Sequence, residues 1–205
     1  MEGPVAPNAS KRAQIIDAAV AEFQENGFAA ASMDRVSARA SVSKRTLYKY
    51  FESKENLFRS IVMELSGRFT DVLEIRYLPD RDIRQQLVDL AWAEGRILLS
   101  PDVIAMARMI ISETLRHPEL AEAAQGKLDK TAAFVNILRD ADTDGTLNVP
   151  DPNTAGTEFI GLIKARAFWP ILFSGSVVSE DEMAIIVEDA VEMMMCRYGQ
   201  TSASK

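Results

Sequence analysis

Apolar residues recur every three to four positions along almost the whole chain, and no stretch alternates with the two-residue period of a strand. Ile15, Ile16, Ala19, Val20 and Phe23 form the first such face, and Asn26-Gly27 supplies a stop signal. Ser32 reads as the N-cap of a short second helix that turns Val36 and Ala40 inward. Ser43 caps a third after a connection of only Ala40 to Val42, and two short helices joined so tightly form a helix-turn-helix. Ser53 caps a fourth helix, with Glu55 complementing its dipole. Leu57, Phe58, Ile61, Val62, Leu65, Phe69, Val72 and Leu73 carry that helix's apolar face toward Pro79. Beyond it, Pro101, His117-Pro118, Asp142 to Gly145, Pro150, Pro152 and Gly175 divide 80–198 into about five further helices. The pattern predicts an all-α chain of about nine helices. A disordered tail would cover 1–10, a three-helix unit 11–58, a helical body 59–198 and a second tail 199–205.

Charge changes this picture in one place. The 205 residues carry a net charge of −7, unevenly spread. Residues 1–60 hold nine Lys/Arg against seven Asp/Glu and the remainder 14 against 23, whereas residues 33–59 alone hold seven against three. A local basic patch on an acidic body is a nucleic-acid footprint, the body repelling DNA wherever the patch is not docked. The patch is also dense in donors: Ser43, Lys44, Arg45, Thr46, Tyr48, Lys49 and Tyr50 fall within eight positions around the apolar Leu47. Phosphate oxygens need cations and donors, and base edges need polar side chains, so this segment suits a helix laid into a DNA groove. Leu47 and Phe51 are read as the core beneath it.

The run IIDAAVAEFQENGFAAASMDRVSARASVSKRTLYKYFESKENLF resembles the DNA-binding domain of the TetR family of transcriptional regulators, over residues 10–58. The amphipathic first helix, Gly27-Phe28, the turn, Tyr48 with Tyr50-Phe51, and Ser53-Lys54 carry the resemblance. By position it implies that Lys44, Arg45, Thr46 and Tyr48 face the major groove. It likewise implies that Ser32, Ser43, Lys49, Tyr50 and Lys54 hold phosphates. Two positions depart from the family pattern. Ser41 stands where the family usually has Gly, which serves if the turn does not need a strongly positive φ. Arg45 stands where a small residue is common, and its bidentate guanidinium suits a guanine. Further on, LLSPDVIAMARMIISETLRHPELAEAA resembles the ligand-binding half of the AefR-like subgroup. That resemblance implies a helical sensor body that dimerises through its last two helices and hosts an inducer pocket. The expectation is a homodimeric, ligand-responsive repressor on a pseudo-palindromic DNA operator, with a constitutive DNA-binding dimer or an activator as the alternatives.

The C-terminal residues agree in outline. In FIGLIKARAFWPILF and DEMAIIVEDAVEMMMCRY the apolar side chains cover more than one helix face. Each helix then buries a second side, either within one subunit or in a four-helix interface between two. Trp92, Met106, Met109, Phe134, Leu138, Phe159 and Ile163 are candidates both for a pocket lining and for plain core. Arg166 shares the stripe of Phe159, Ile163 and Pro170, and either meets an anionic ligand or pairs with a carboxylate across the dimer.

Three features resist a sharper reading. Asp140, Asp142, Asp144 and Gly145 are spaced like a calcium loop, but Asp151 replaces the terminal Glu and Pro150 precedes it, so the stretch reads as a polar helix connection. His117, the only histidine, stands before Pro118 with no nucleophile nearby and reads as a loop or capping residue. Cys196, the only cysteine, reads as a packed thiol, with a dimer-spanning redox bridge left open, and suits a reducing cytoplasm. MEGPVAPNAS has neither the cationic nor the apolar region of a secretion signal, and no apolar run spans a bilayer. With no nucleophile–base pair, Gly-rich phosphate loop or metal cluster legible, neither catalysis, nor a metal, nor a cofactor is expected.

Overall fold

A computed structural model describes residues 7–67, 74–121, 131–174 and 178–200. They form α1 (Pro7–Ala30), α2 (Met33–Arg39), α3 (Lys44–Tyr50), α4 (Lys54–Gly67), α5 (Ile83–Leu98), α6 (Pro101–Arg116), α7 (Thr131–Thr143), α8 (Pro152–Ala167), α9 (Trp169–Ser174) and α10 (Glu180–Tyr198). One turn of 3-10 helix covers Pro118–Leu120. Among the described residues no strand occurs, and an isolated bridge pairs Leu147 with Gly199. The fold is all-α as expected. Counting α9 with α8, from which only Phe168 separates it, gives nine helices among the described residues.

The chain divides into two compact units, Met1–Ser66 with Ala105–Leu128, and Gly67–Ile104 with Asp129–Lys205. In the first, Ile15, Ile16, Phe23, Phe28, Leu47, Leu57, Phe58 and Ile61 are buried together with Val36 and Phe51. Its rings pack edge to face, Phe28 against Phe58 at 5.7 Å. α1 opens at Pro7, inside the expected tail, because a proline's missing N–H is no loss in a first helical turn. Gly27 does stop the helix: its φ of 70° and ψ of 161° break it before one last turn to Ala30. The expected long fourth helix is shorter. Its described part ends at Gly67; Phe69, Val72 and Leu73 lie outside the described residues, and residues 75–78 are not helical.

In the second unit α5, α7, α8 and α10 enclose Leu87, Leu90, Phe134, Leu138, Phe159, Ile163, Met183 and Val191. The break at Phe168 follows from Pro170, which removes one rung of the helical ladder and sets its ring against the preceding turn. α10 starts at a capping box, with Ser179 Oγ accepting from Glu182 N while Glu182 Oε2 accepts from Ser179 N. The acidic stretch after α7 is a structural connection. Asp142 Oδ1 accepts from Val149 N at 2.7 Å, Asp144 Oδ2 from Tyr77 Oη at 2.7 Å, and Asp151 Oδ1 caps α8 through Asn153 N at 3.0 Å. Cys196, expected to be packed, is exposed: it falls on the outward face of α10 with Met193, while Met194 and Tyr198 turn inward.

Candidate nucleic-acid interface

Ser32 caps α2 by accepting from Asp34 N at 3.2 Å, and Val36 anchors that helix inside the unit. Ser41 N donates to Ala38 O at 3.1 Å and Val42 N to Ser37 O at 3.0 Å, the paired bonds of a Schellman ending. That ending needs a left-handed residue, and Ser41 takes φ 53°. The turn therefore takes the positive φ for which glycine is suited, and Ser41 serves in it at a cost in backbone strain. Ser43 then caps α3, its Oγ accepting from Thr46 N at 3.1 Å. Leu47, fully buried, fixes which way α3 faces. With Leu47 inward, Lys44, Arg45, Tyr48 and Lys49 share the outer face, at i, i+1, i+4 and i+5. Tyr48 is 49% exposed, whereas Thr46 and Tyr50 are half-buried and Phe51 is in the core.

The cations of this region divide into those that hold the fold and those left outside it. Arg39 grips Glu25 with both guanidinium arms, and that hydrogen bond holds the Glu25 carboxyl below its ordinary range while raising Arg39. Lys44 Nζ lies 2.6 Å from Asp34 Oδ2, both side chains well exposed, so the pair is weak and exchangeable. Lys54 is turned inward. Its Nζ donates to Ala29 O at 3.0 Å and Ala31 O at 3.3 Å and sits 4.6 Å over the Phe28 ring, closing the end of α1. Arg45 and Lys49 make no hydrogen bond or ion pair among the described residues. Two like charges at i and i+4 oppose the helix slightly, so nothing local explains them.

A residue unanticipated from the sequence organises this surface. Glu22, 1% exposed, accepts from Ser32 N at 3.2 Å and from Arg35 Nε at 2.6 Å. The Ser32 amide is thus committed to Glu22, which leaves the hydroxyl, already accepting from Asp34 N, as the remaining donor of Ser32. The missed signal is positional: Glu22 falls on the apolar stripe of Ile15, Ala19 and Phe23.

The sequence profile of bacterial regulatory proteins of the tetR family matches residues 15–61, and that of the AefR-like transcriptional repressor C-terminal domain matches residues 85–200. The chain belongs to the TetR family. Members of this family are transcriptional regulators rather than enzymes, and the helix-turn-helix implies DNA binding. The HTH-type transcriptional repressor SCO4008 of Streptomyces coelicolor is 45% identical over 174 residues, which is 81% of this chain and 80% of that protein. A TetR-family regulator from Pseudomonas syringae pv. tomato is 34% identical, with a TM-score of 0.83 over 94% of this chain and 98% of that one. The flavonoid-responsive regulator FrrA is 27% identical, with a TM-score of 0.74 over 95% and 100% of the two chains.

Within the TetR-family body, the candidate pocket residues are dispersed. Phe134, Leu138, Phe159 and Ile163 are fully buried in one core, the two rings meeting edge to face at 5.2 Å, with half-buried Trp92 beside them. Met106 and Met109 are buried in the other compact unit. Arg166 lies at the exposed edge of α8, where Nη1 meets Asp189 Oδ2 at 2.5 Å, so its carboxylate partner is in its own chain. Glu94, another carboxylate on an apolar stripe, is fully buried with Lys164 Nζ 3.8 Å away. No helix is long and apolar enough to cross a membrane among the described residues.

Proposed function

We propose that this TetR-family regulator is a homodimeric, ligand-responsive repressor. In this reading each protomer places α3 in one of two successive major grooves of a pseudo-palindromic operator. The carrying observation is the outer face of α3, on which Arg45, Tyr48 and Lys49 are exposed and the two cations lack partners among the described residues. Lys44 joins them by exchanging Asp34 for phosphate, with Ser32, Ser43, Thr46 and Tyr50 at the margins and Lys54 reaching phosphates only by leaving the end of α1. Repression is supported by the likeness to SCO4008, described as a repressor. Ligand response is supported by the likeness to FrrA, described as flavonoid-responsive. The ligand enters the second unit beside Trp92, Phe134, Leu138, Phe159 and Ile163, where the Glu94–Lys164 pair offers polar recognition. It weakens operator binding by its differential affinity for a conformation in which the two α3 helices no longer match the grooves.

The test starts from duplexes selected out of a random-sequence pool by the wild-type protein. Arg45→Ala is expected to weaken binding to the selected site by roughly 1–3 kcal/mol and to relax its preference at one base pair. Wild-type affinity and preference in that variant would remove Arg45 from the reading face. A second reading, a constitutive DNA-binding dimer, is favoured by the close packing of Phe134, Leu138, Phe159 and Ile163. A small molecule that both raises the melting temperature and releases the operator decides for the first reading.

A further inference from the structure

We propose that Glu113 is a positioning residue for the DNA-reading helices, acting through the backbone of Phe28; the proposal rests on the DNA-binding reading above. Gly27 leaves helical geometry at φ 70° and ψ 161°, which takes the next N–H out of the α1 ladder. Glu113 Oε2 accepts that Phe28 N–H at 2.9 Å, from α6 and 85 residues away, inside the same compact unit. The carboxylate is 2% exposed, and its other oxygen takes Arg116 Nη1 at 3.0 Å. Even with Arg116 offsetting part of the desolvation, a buried carboxylate is an expensive acceptor for an amide that a water or a hydroxyl would satisfy at lower cost. What it adds is direction: a buried acceptor oxygen, shielded from competing water, tolerates little displacement of its donor.

The same few residues are held at their other end. Glu22 binds Ser32 N, so buried carboxylates pin residues 27–32 on both sides. The Phe28 side chain is fixed as well, packed against Phe23 at 5.5 Å and His117 at 5.6 Å with Lys54 Nζ above the ring. This connection sets the angle at which α2 leaves α1, and the Ser41 turn passes that angle on to α3. A small rotation of the α2–α3 pair misplaces side chains that must reach base edges within hydrogen-bond distance, while long-range attraction to phosphates survives. Glu113 therefore governs sequence discrimination more than attraction to DNA.

The decisive comparison is Glu113→Leu against Glu113→Gln, each assayed on a duplex selected by the wild type and on a scrambled duplex. The leucine removes the acceptor, whereas the glutamine keeps an oxygen for Phe28 N. Glu113→Leu is expected to lose about tenfold or more in affinity for the selected duplex and to stay within about twofold on the scrambled one. Glu113→Gln should hold near-wild-type values on both. A loss of fold stability alone would leave the ratio of the two affinities unchanged in the folded fraction, so an unchanged ratio in the leucine variant overturns the proposal. Glutamine as impaired as leucine also overturns it. Should the leucine variant not fold, amide exchange decides: Phe28 N–H is expected to be protected in both the wild type and the glutamine variant, and rapid exchange in the wild type sinks the assignment. Failure of the wild type to enrich any sequence is a different result, which refutes the regulator reading itself.

Discussion

At the scale of single residues, two positions show strain or charge held for a purpose. Ser41 occupies the left-handed region in a turn whose Schellman bonds leave no alternative. A non-glycine residue there costs about 1–2 kcal/mol, against which glycine loses about 0.4–1 kcal/mol through its freer unfolded chain. The first effect is larger, so Ser41→Gly should raise stability by roughly 0.5–1 kcal/mol, read as a higher urea midpoint at unchanged slope. A lowered midpoint would mean that the serine hydroxyl contributes a bond worth more than the strain. Lys54 teaches the complementary lesson. Its motif position suggests a phosphate contact, yet its ammonium is spent on two carbonyls at the end of α1 and on the Phe28 ring. Arg45 and Lys49, by contrast, lie outward with no hydrogen bond or ion pair among the described residues.

At the scale of elements, helix caps and apolar periods were legible because each is a local rule. Ser32, Ser43 and Ser53 all accept from backbone N–H groups at the starts of helices, and Gly27 breaks α1 where its residue type announced it. The three carboxylates buried among the described residues follow no such local rule: Glu22, Glu94 and Glu113 are polar by residue type, and only their register with an apolar stripe marks them as inward. Close approach of helices is equally silent in sequence. A Cβ added at Gly156 would come within 2.6 Å of Val135 Cγ2 and 2.8 Å of Val135 N, so α7 and α8 meet backbone to backbone there. An exposed helical glycine gains about 1 kcal/mol on replacement by alanine. Here the overpacking term of about 1–3 kcal/mol opposes it, and the obstacle includes main chain that cannot rotate away. Gly156→Ala should therefore lower the melting temperature, while Gly161→Ala, with nothing within 4 Å of its Cβ, should not. Equal responses at the two positions would show that α7 yields at little cost.

At the scale of the whole molecule, the open question raised by the second unit is what covers its outward side. Trp169, Phe173, Ile185 and Met193 are 49%, 88%, 56% and 56% exposed, a concentration of large apolar surface on α9 and α10 that isolated exposed residues do not produce. Ile185 stands beside Ala165 and Pro170 around a cleft of about 380 Å³, so this surface continues from α10 onto α8 and α9. A two-fold partner presenting the same face would bury it, and a stable interface of that kind removes about 1,200–2,000 Å² in total. The period of the sequence anticipated a second buried side on these helices but had no means of choosing between a neighbour in the chain and a second copy. Covering by a second copy carries a measurable consequence. The 22.7 kDa chain should sediment as a dimer at micromolar concentration, and Ile185→Glu combined with Met193→Glu should sediment as a monomer with its helical content intact. The monomeric variant should retain contact with a single half-site through α3 but lose most of the affinity for the full operator, because the second half-site is then no longer held at high effective concentration. A wild-type chain that sediments as a monomer would remove the dimer and the two-groove geometry together, leaving the α3 reading surface to be judged by Arg45 alone.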